Sequence, residues 1–409
     1  MNKKTAPIYL LAIIGLPLFF SSAHSQRWGF FGHRRINRLA VFTLPQEMVF
    51  FYKKHIEYLT EHAVDPDKRR YATKHEAVRH YIDLDHYTDP LPMRWEDAIA
   101  EYAGLFSIAP SGDTVLVFSR EYMENESGLW RPKPEFREKF PATVREGIRE
   151  ENHRSWIWRN FLPKYFEEDL DIPCDSLRAT YGRAIPCKTV IVADSLTPHG
   201  ILPYHLLQMH RRLTNAFRSG NESAVLKLSA EIGHYIGDAH VPLHTTINYN
   251  GQLTGQQGIH AFWESRIPEL FADTEFDFFV GQATYLRDPG RYYWSIVQES
   301  HTLVDSVLRM ERELRLTYPQ DRQYCPNEKT PGGPRVPCKA YSAAYHAKLN
   351  GMVERRMRAA IHAIGSAWYS AWSDAGQPPL HRFKSGKGKA AEGLEDKETN
   401  TPQTIRPHQ

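Results

Sequence analysis

Two stretches of this 409-residue chain put metal-binding side chains at helical spacing. In GHYIGDAHVPLH, His234 and Asp238 are four residues apart, so both side chains share one face of an expected helix. His244 follows Asp238 by six residues, after Pro242 has ended the helix. Three nitrogen and oxygen donors converging in this way suit zinc. The same residues would also serve as two buried, hydrogen-bonded histidines beside a helix cap. GIHAFWESR repeats the i, i+4 spacing with His260 and Glu264. Alone this is a common surface pair, but only the Gly-rich connection 250–258 separates it from the first motif, and that can fold the two helix ends together. Nearer the start, Trp28 and His33 precede a helix, and HAVDPDKRR followed by RHYIDLD adds Asp65 and His80. Bland readings stand beside these: core packing for Trp28, a satisfied structural histidine for His33 and His80, and a helix cap for Asp65, since Asp-Pro opens a helical run.

The elements that must position these residues are helical. Apolar residues recur at helix-like intervals over 33–42, 46–59, 74–81, 202–217, 224–237, 300–316 and 341–372, and Ser219-Gly220-Asn221 separates two of the longer stretches. Alternating strand patterns are few. The expected class is all-α, a single helical domain with an inserted loop-rich segment at about 103–203. That insertion is rich in Pro and is read as an elaboration on the helical core, either a cap over the site or extra surface loops and helices.

The ends read differently from the middle. Lys3 and Lys4, an apolar run from Ile8 to Phe20, and Ala23 and Ser25 before Gln26 read as a secretory signal peptide over 1–25. Residues 384–409 are rich in Lys, Glu, Gly, Thr and Pro and read as a disordered tail, leaving 26–383 as the folded domain. No later stretch is apolar for long enough to cross a bilayer. The expected location is therefore exported, periplasmic or secreted. The net charge of +3 is small for the length and gives no independent support for nucleic-acid binding. The four cysteines form two pairs, Cys174 with Cys187 and Cys325 with Cys338, each thirteen residues apart and each ending in Pro-Cys-Lys. In an oxidising compartment these are expected to close two local loops as disulfides. A cysteine-ligated zinc is the alternative, disfavoured because the tight knuckle spacing is missing.

In their order, Trp28, His33, Asp65, His80, His234, Asp238, His244, His260 and Glu264 resemble the superfamily of zinc-dependent phospholipases C and single-strand-specific zinc nucleases. The resemblance covers roughly the first two thirds of the chain after the signal segment. It implies three zinc ions in a cleft of an all-α domain. One would be held by Asp65, His80, His234 and Asp238, and a second by His244, His260 and Glu264. The third would take His33, Asp238 as a bridge, and the amino and carbonyl groups of Trp28 as the mature N-terminus. Cleavage before Gln26 would leave Trp28 two residues inside, with an amide in place of the amine; a further cut after Arg27 would free it. Zinc-activated water would be the nucleophile, with Asp65 and Asp238 central to the catalytic cluster. The nucleases carry an Arg three residues beyond the first Asp, to contact the phosphate; counted from Asp65, Lys68 stands there. Tyr81 and Asp83 match an aromatic and an acid that contact a base in the nucleases, and are candidates for substrate binding.

The implied activity is phosphodiester hydrolysis on a phospholipid or on single-stranded nucleic acid, with no protein partner indicated. Glu264 and the short connection from His244 to His260 resemble the phospholipases C. The Trp28–His33 and Asp65–His80 spacings and Trp263 resemble the nucleases, so a single-strand nuclease or 3′-nucleotidase is the alternative. A zinc-binding structural protein without catalysis is the reading from another class.

Overall fold

The structure is a computed structural model that describes residues 29–70, 74–165, 171–327 and 332–383. The expected signal peptide, Trp28 and the tail from 384 lie outside these residues. The N-terminal part is a run of helices: α1 (Phe30–Ala40), α2 (Gln46–Lys54), α3 (Ile56–Glu61) and the short α4 (Asp65–Arg69). The expected stretch 46–59 is broken at His55, between α2 and α3. The expected helix over 74–81 is a single turn, Lys74–Ala77, and His80 stands on the irregular segment after it.

The insertion holds more strand than its sequence suggests. It follows α5 (Trp95–Tyr102) and contains β1 (Ala103–Ile108), β2 (Thr114–Phe118), β3 (Met123–Glu126), β4 (Leu129–Pro132), β5 (Ile148–Arg149), α6 (Glu150–Asn160), α7 (Cys174–Tyr181) and β6 (Thr189–Asp194). These make two antiparallel three-stranded sheets, β2-β1-β6 and β3-β4-β5. Strand β1 pairs in register with β6 from Ala103 opposite Asp194 to Ile108 opposite Thr189, and a bulge at Leu105/Phe106 offsets it from β2. The chain remains mainly α-helical, as expected.

The rest is helical: α8 (Leu202–Ser219), α9 (Glu222–Ala239), α10 (Pro289–Thr302), α11 (Val304–Thr317), α12 (Lys339–Lys348) and α13 (Met352–Asp374), with the small hairpin β7 (Tyr324–Cys325) and β8 (Val336–Pro337) before α12. Asn221 caps α9 by accepting from the Ala224 amide, and Gly220, with φ of 65°, ends α8 just before it. Helix α9 is buried along almost its whole length, wedged among α1, α3, α8 and α13. One apolar core runs from Ile36 to Leu380 and takes in side chains of the insertion such as Phe118 and Trp156. Both disulfides form, Cys174–Cys187 and Cys325–Cys338. No helix among the described residues is long and apolar enough to cross a membrane.

Candidate metal centre

The site is built where α1 lies against α9, and two glycines let it do so. A Cβ on Gly233 would fall 2.0 Å from the Asn37 side-chain oxygen. One on Gly237 would fall 2.7 Å from Ile36 Cδ1 and 2.9 Å from His33 Nδ1. The bare backbone of α9 therefore admits α1 at close range. Asn37 fastens the contact by donating to the Ala230 carbonyl at 2.9 Å. The consequence is that His33 stacks on His234, ring centroids 3.9 Å apart.

Around that stack three groups of donors converge: His33 with His234 and Asp238; Asp67 with His80 and His234; and His244 with His260 and Glu264. Asp238 joins them. Its Oδ2 lies 2.9 Å from His80 Nδ1 and 3.3 Å from His234 Nε2. Its Oδ1 lies 3.3 Å from His33 Nε2 and 3.7 Å from His244 Nε2. Glu264 closes the other side, with Oε2 2.7 Å from His260 Nε2 and 3.6 Å from His244 Nε2, and Oε1 3.5 Å from His33 Nε2. His260 and Glu264 stay four residues apart on one face, although the helix widens to a π turn over Phe262–Arg266. A Cβ on Gly29 would lie 3.5 Å from Glu264 Oε1 and 3.9 Å from Asp67 Oδ2, so the chain just before α1 passes between two of the groups.

Eight of the nine expected positions can be tested, Trp28 lying outside the described residues. Seven of those eight converge; the exception is Asp65. Its carboxylate turns away to His62, 2.5 Å, and Lys68, 2.7 Å. Those partners hold it below the ordinary carboxylate value, though burial pushes the other way. Asp67 takes its place, with Oδ1 3.7 Å from His234 Nε2 and 3.9 Å from His80 Nδ1. Residues i and i+2 of a helical turn point about 200° apart, so only one of the two acids can face α9. The structure gives that face to Asp67 and does not bring Asp65, the residue expected there, into any of the three donor groups. Lys68 moves with it: its side chain is half exposed and bound to Asp65. The residue three beyond Asp67 is Arg70, which is buried, with Nε and Nη1 lacking a hydrogen-bond partner among the described residues. Arg70 is near enough to His80 to oppose its protonation.

Tyr81 and Asp83 are also placed otherwise than expected. Both are buried and packed on the segment 194–200: the Tyr81 hydroxyl donates to the Pro198 carbonyl at 3.1 Å, and Asp83 Oδ2 lies 3.4 Å from His199 Nδ1. Gly200, with φ of 89°, is required there, because a Cβ would fall 2.1 Å from the Tyr81 carbonyl oxygen. The two side chains brace the insertion against the site instead of opening onto a cleft.

The chemistry of the donor set fits a cation. His234 Nδ1 donates to the Ala63 carbonyl at 2.9 Å and His260 Nδ1 to the Tyr249 carbonyl at 3.1 Å, which turns each Nε2 inward as a lone pair. His234 Nε2 and His80 Nδ1 then face each other at 3.1 Å with carboxylate oxygens around them. Acceptors gathered against acceptors repel unless protons or a metal lie between them. Without a metal, protons do this work. Burial would lower His33 and His80, but Asp238 and Glu264 raise His33 well above its ordinary value, and Asp238 and Glu76 raise His80. Burial would raise Asp238 and Glu264, yet the surrounding histidines hold both well below the carboxylate range. His244 behaves differently: burial dominates and lowers it. Buried nitrogen and oxygen donors without thiolates suit zinc among the divalent ions but do not single it out. No protein-family model matches the chain, and no curated protein matches it.

Proposed function

We propose that the chain is an exported zinc-dependent phosphodiesterase related to the phospholipases C. The observation that carries this is Asp238, whose two oxygens face separate sets of histidines, so that seven further donors gather around one carboxylate. Asp67, His80 and His234 would hold one ion; His244, His260 and Glu264 a second; His33 and Asp238 would contribute to a third. When bound, such ions supply a deprotonated water as nucleophile and neutralise phosphate charge. The chain's own part is positional. The Ala63 and Tyr249 carbonyls fix two imidazoles, and the Arg70 guanidinium places a positive charge near His80 that opposes its protonation. The two local disulfides fit the oxidising compartment that export implies.

Glu264 and the short connection before His260 favour a phospholipid substrate. One observation favours the second reading, a single-strand nuclease: counted from Asp67 instead of Asp65, the phosphate-contacting Arg of the nucleases has its counterpart in Arg70. Against it, Arg70 itself is buried, as are Tyr81 and Asp83, the residues that would meet a base. The test is elemental analysis of the secreted protein together with hydrolysis of phosphatidylcholine and of single-stranded DNA, measured side by side. Up to three zinc ions are expected, one for each donor group. Chelation should abolish hydrolysis and zinc should restore it. Full activity in a metal-free chain, or no hydrolysis of either substrate by the zinc-loaded one, would sink the proposal.

A further inference from the structure

A cavity of about 1120 Å³ opens in the insertion, and none of the metal-group side chains lines it. Its walls come from α5, β1, β3, β4, α6 and the segment 86–89 that leads away from His80. Two features set its chemistry. The first is aromatic surface: Tyr87, Tyr102, Phe106, Tyr122 and Trp130 all face it. The second is charge. Six carboxylates line it, from Asp89, Asp97, Glu101, Glu121, Glu124 and Glu150, against three cationic side chains, from Arg120, Lys133 and Arg154.

Those cations do not neutralise the walls. Arg120 is shared by Glu101, 2.7 Å, and Asp89, 2.9 Å. Arg154 is shared by Asp97, 3.4 Å, and Glu150. Lys133 donates to the Glu121 backbone carbonyl at 2.8 Å. Glu121 and Glu124 have no cationic partner at ion-pair distance among the described residues. The two histidines of the wall add no positive charge: burial lowers both His86 and His153, the latter to about 4. Burial pushes the Glu101 carboxyl up, and Glu150 and Asp89 add to that rise against the pull of Arg120. The ring faces already attract cations: the Arg120 guanidinium sits 4.6 Å from the Tyr102 ring centroid, and Lys139 lies 4.6 Å from that of Tyr122. The Tyr102 hydroxyl is itself buried with no hydrogen-bond partner among the described residues. An anion would meet the wrong sign here. A bare metal ion would find no converging donors, since every metal-type group among the described residues belongs to the other site.

We propose that this cavity binds an organic cation, an amine or a quaternary ammonium, with its charge met by the carboxylates and its alkyl groups laid on the aromatic faces. The assignment does not depend on the metal-centre reading. Two probes test it by calorimetry on the whole secreted protein: spermidine and tetramethylammonium, with inorganic phosphate as the control. Both cations should bind saturably with Kd at or below about 1 mM. Glu101→Gln should weaken both at least tenfold. Glu124→Gln changes an exposed rim residue, so it leaves folding intact and should weaken both several-fold. Tyr102→Leu should weaken tetramethylammonium more than spermidine. Absence of saturable binding by either cation, affinities unchanged in both Glu101→Gln and Glu124→Gln, or binding of phosphate in their place would overturn the proposal. Sedimentation with phosphatidylcholine vesicles, with and without tetramethylammonium as competitor, then separates a lipid headgroup from a free amine as the source of the cation.

Discussion

At the scale of single residues, two neighbouring acids make the sharpest test. Asp67 Oδ1 lies among the inward nitrogens of His80 and His234, whereas Asp65 is paired with His62 and Lys68 on the outside. Asp67→Asn is expected to lower zinc content by one ion and to cut hydrolysis by orders of magnitude, roughly the loss that follows removal of a metal ligand's charge. Asp65→Asn should leave zinc content and turnover within about twofold, as removal of an exposed pair does. The reverse pattern would restore Asp65 as the ligand. Asp238→Asn tests the junction: an amide has one acceptor oxygen and no charge, so it should weaken two donor groups together, while Glu264→Gln should chiefly weaken the His244–His260 group. Full zinc and near-normal turnover in Asp238→Asn would reduce it to a residue that merely orients a histidine. Spacing brought out the i, i+4 pairs and His244, while His33 and His80 joined the set only through the resemblance, since nothing in their local pattern ties them to the other donors. DPDKRR was not legible, since the choice between its two acids is made by which face of α4 meets α9. The signal that could have decided it was Arg70, three residues beyond Asp67.

At the scale of elements, the site depends on how closely α1 approaches α9. His33 reaches Asp238 and Glu264 because Gly233 and Gly237 present no side chains to it. A methyl at 237 meets Ile36 Cδ1 and the His33 ring below 3.0 Å, so at least one of the two must shift to admit it. Gly237→Ala is expected to cost about 1–3 kcal/mol, as overpacking does. It should also lower metal content specifically at the group that includes His33. Denaturant midpoints and zinc stoichiometry, measured together, check this. A variant of native stability and full zinc would show that α1 is not held by that contact. The helices themselves were readable from their apolar period, but the break that divides 300–316 at Leu303, between α10 and α11, was not. The break of 341–372 at 349–351, between α12 and α13, falls on Asn350-Gly351, both at positive φ, and so did carry a turn signal. Leu303 carries no breaker signal, since tertiary packing turns the chain there. Of the strands in the insertion, β1, β2 and β6 are five or six residues long and the other three were hidden by their length. Strands β3 and β4 are four residues each and β5 is two, too short for alternation to register.

At the scale of the whole molecule, buried histidines away from the metal groups set how the fold responds to acid. His153 is enclosed between the Tyr181 hydroxyl, 2.8 Å from Nδ1, and the Ala100 carbonyl, to which Nε2 donates at 2.7 Å. Burial pushes its pKa down to about 4, with Arg154 adding to the fall and the Ala100 bond opposing it. His210, beside the Tyr293 hydroxyl at 2.8 Å, is likewise pushed by burial to about 4. Both are neutral in the folded chain at a pH where the unfolded chain, with histidine near its ordinary 6.5, already binds protons. Between those values the unfolded state takes up more protons at these two positions, so their contribution to stability rises with pH. The stabilisation from neutral burial is whole above about 6.5 and drains as pH falls toward about 4, at about 1.4 kcal/mol per pH unit for each histidine. Urea unfolding of the metal-free protein at pH 7, 6 and 5 should reveal that slope. His153→Gln keeps a hydrogen-bonding side chain that does not titrate, and should flatten the slope by about one histidine's share. An unchanged slope in that variant would mean that His153 becomes protonated within the fold.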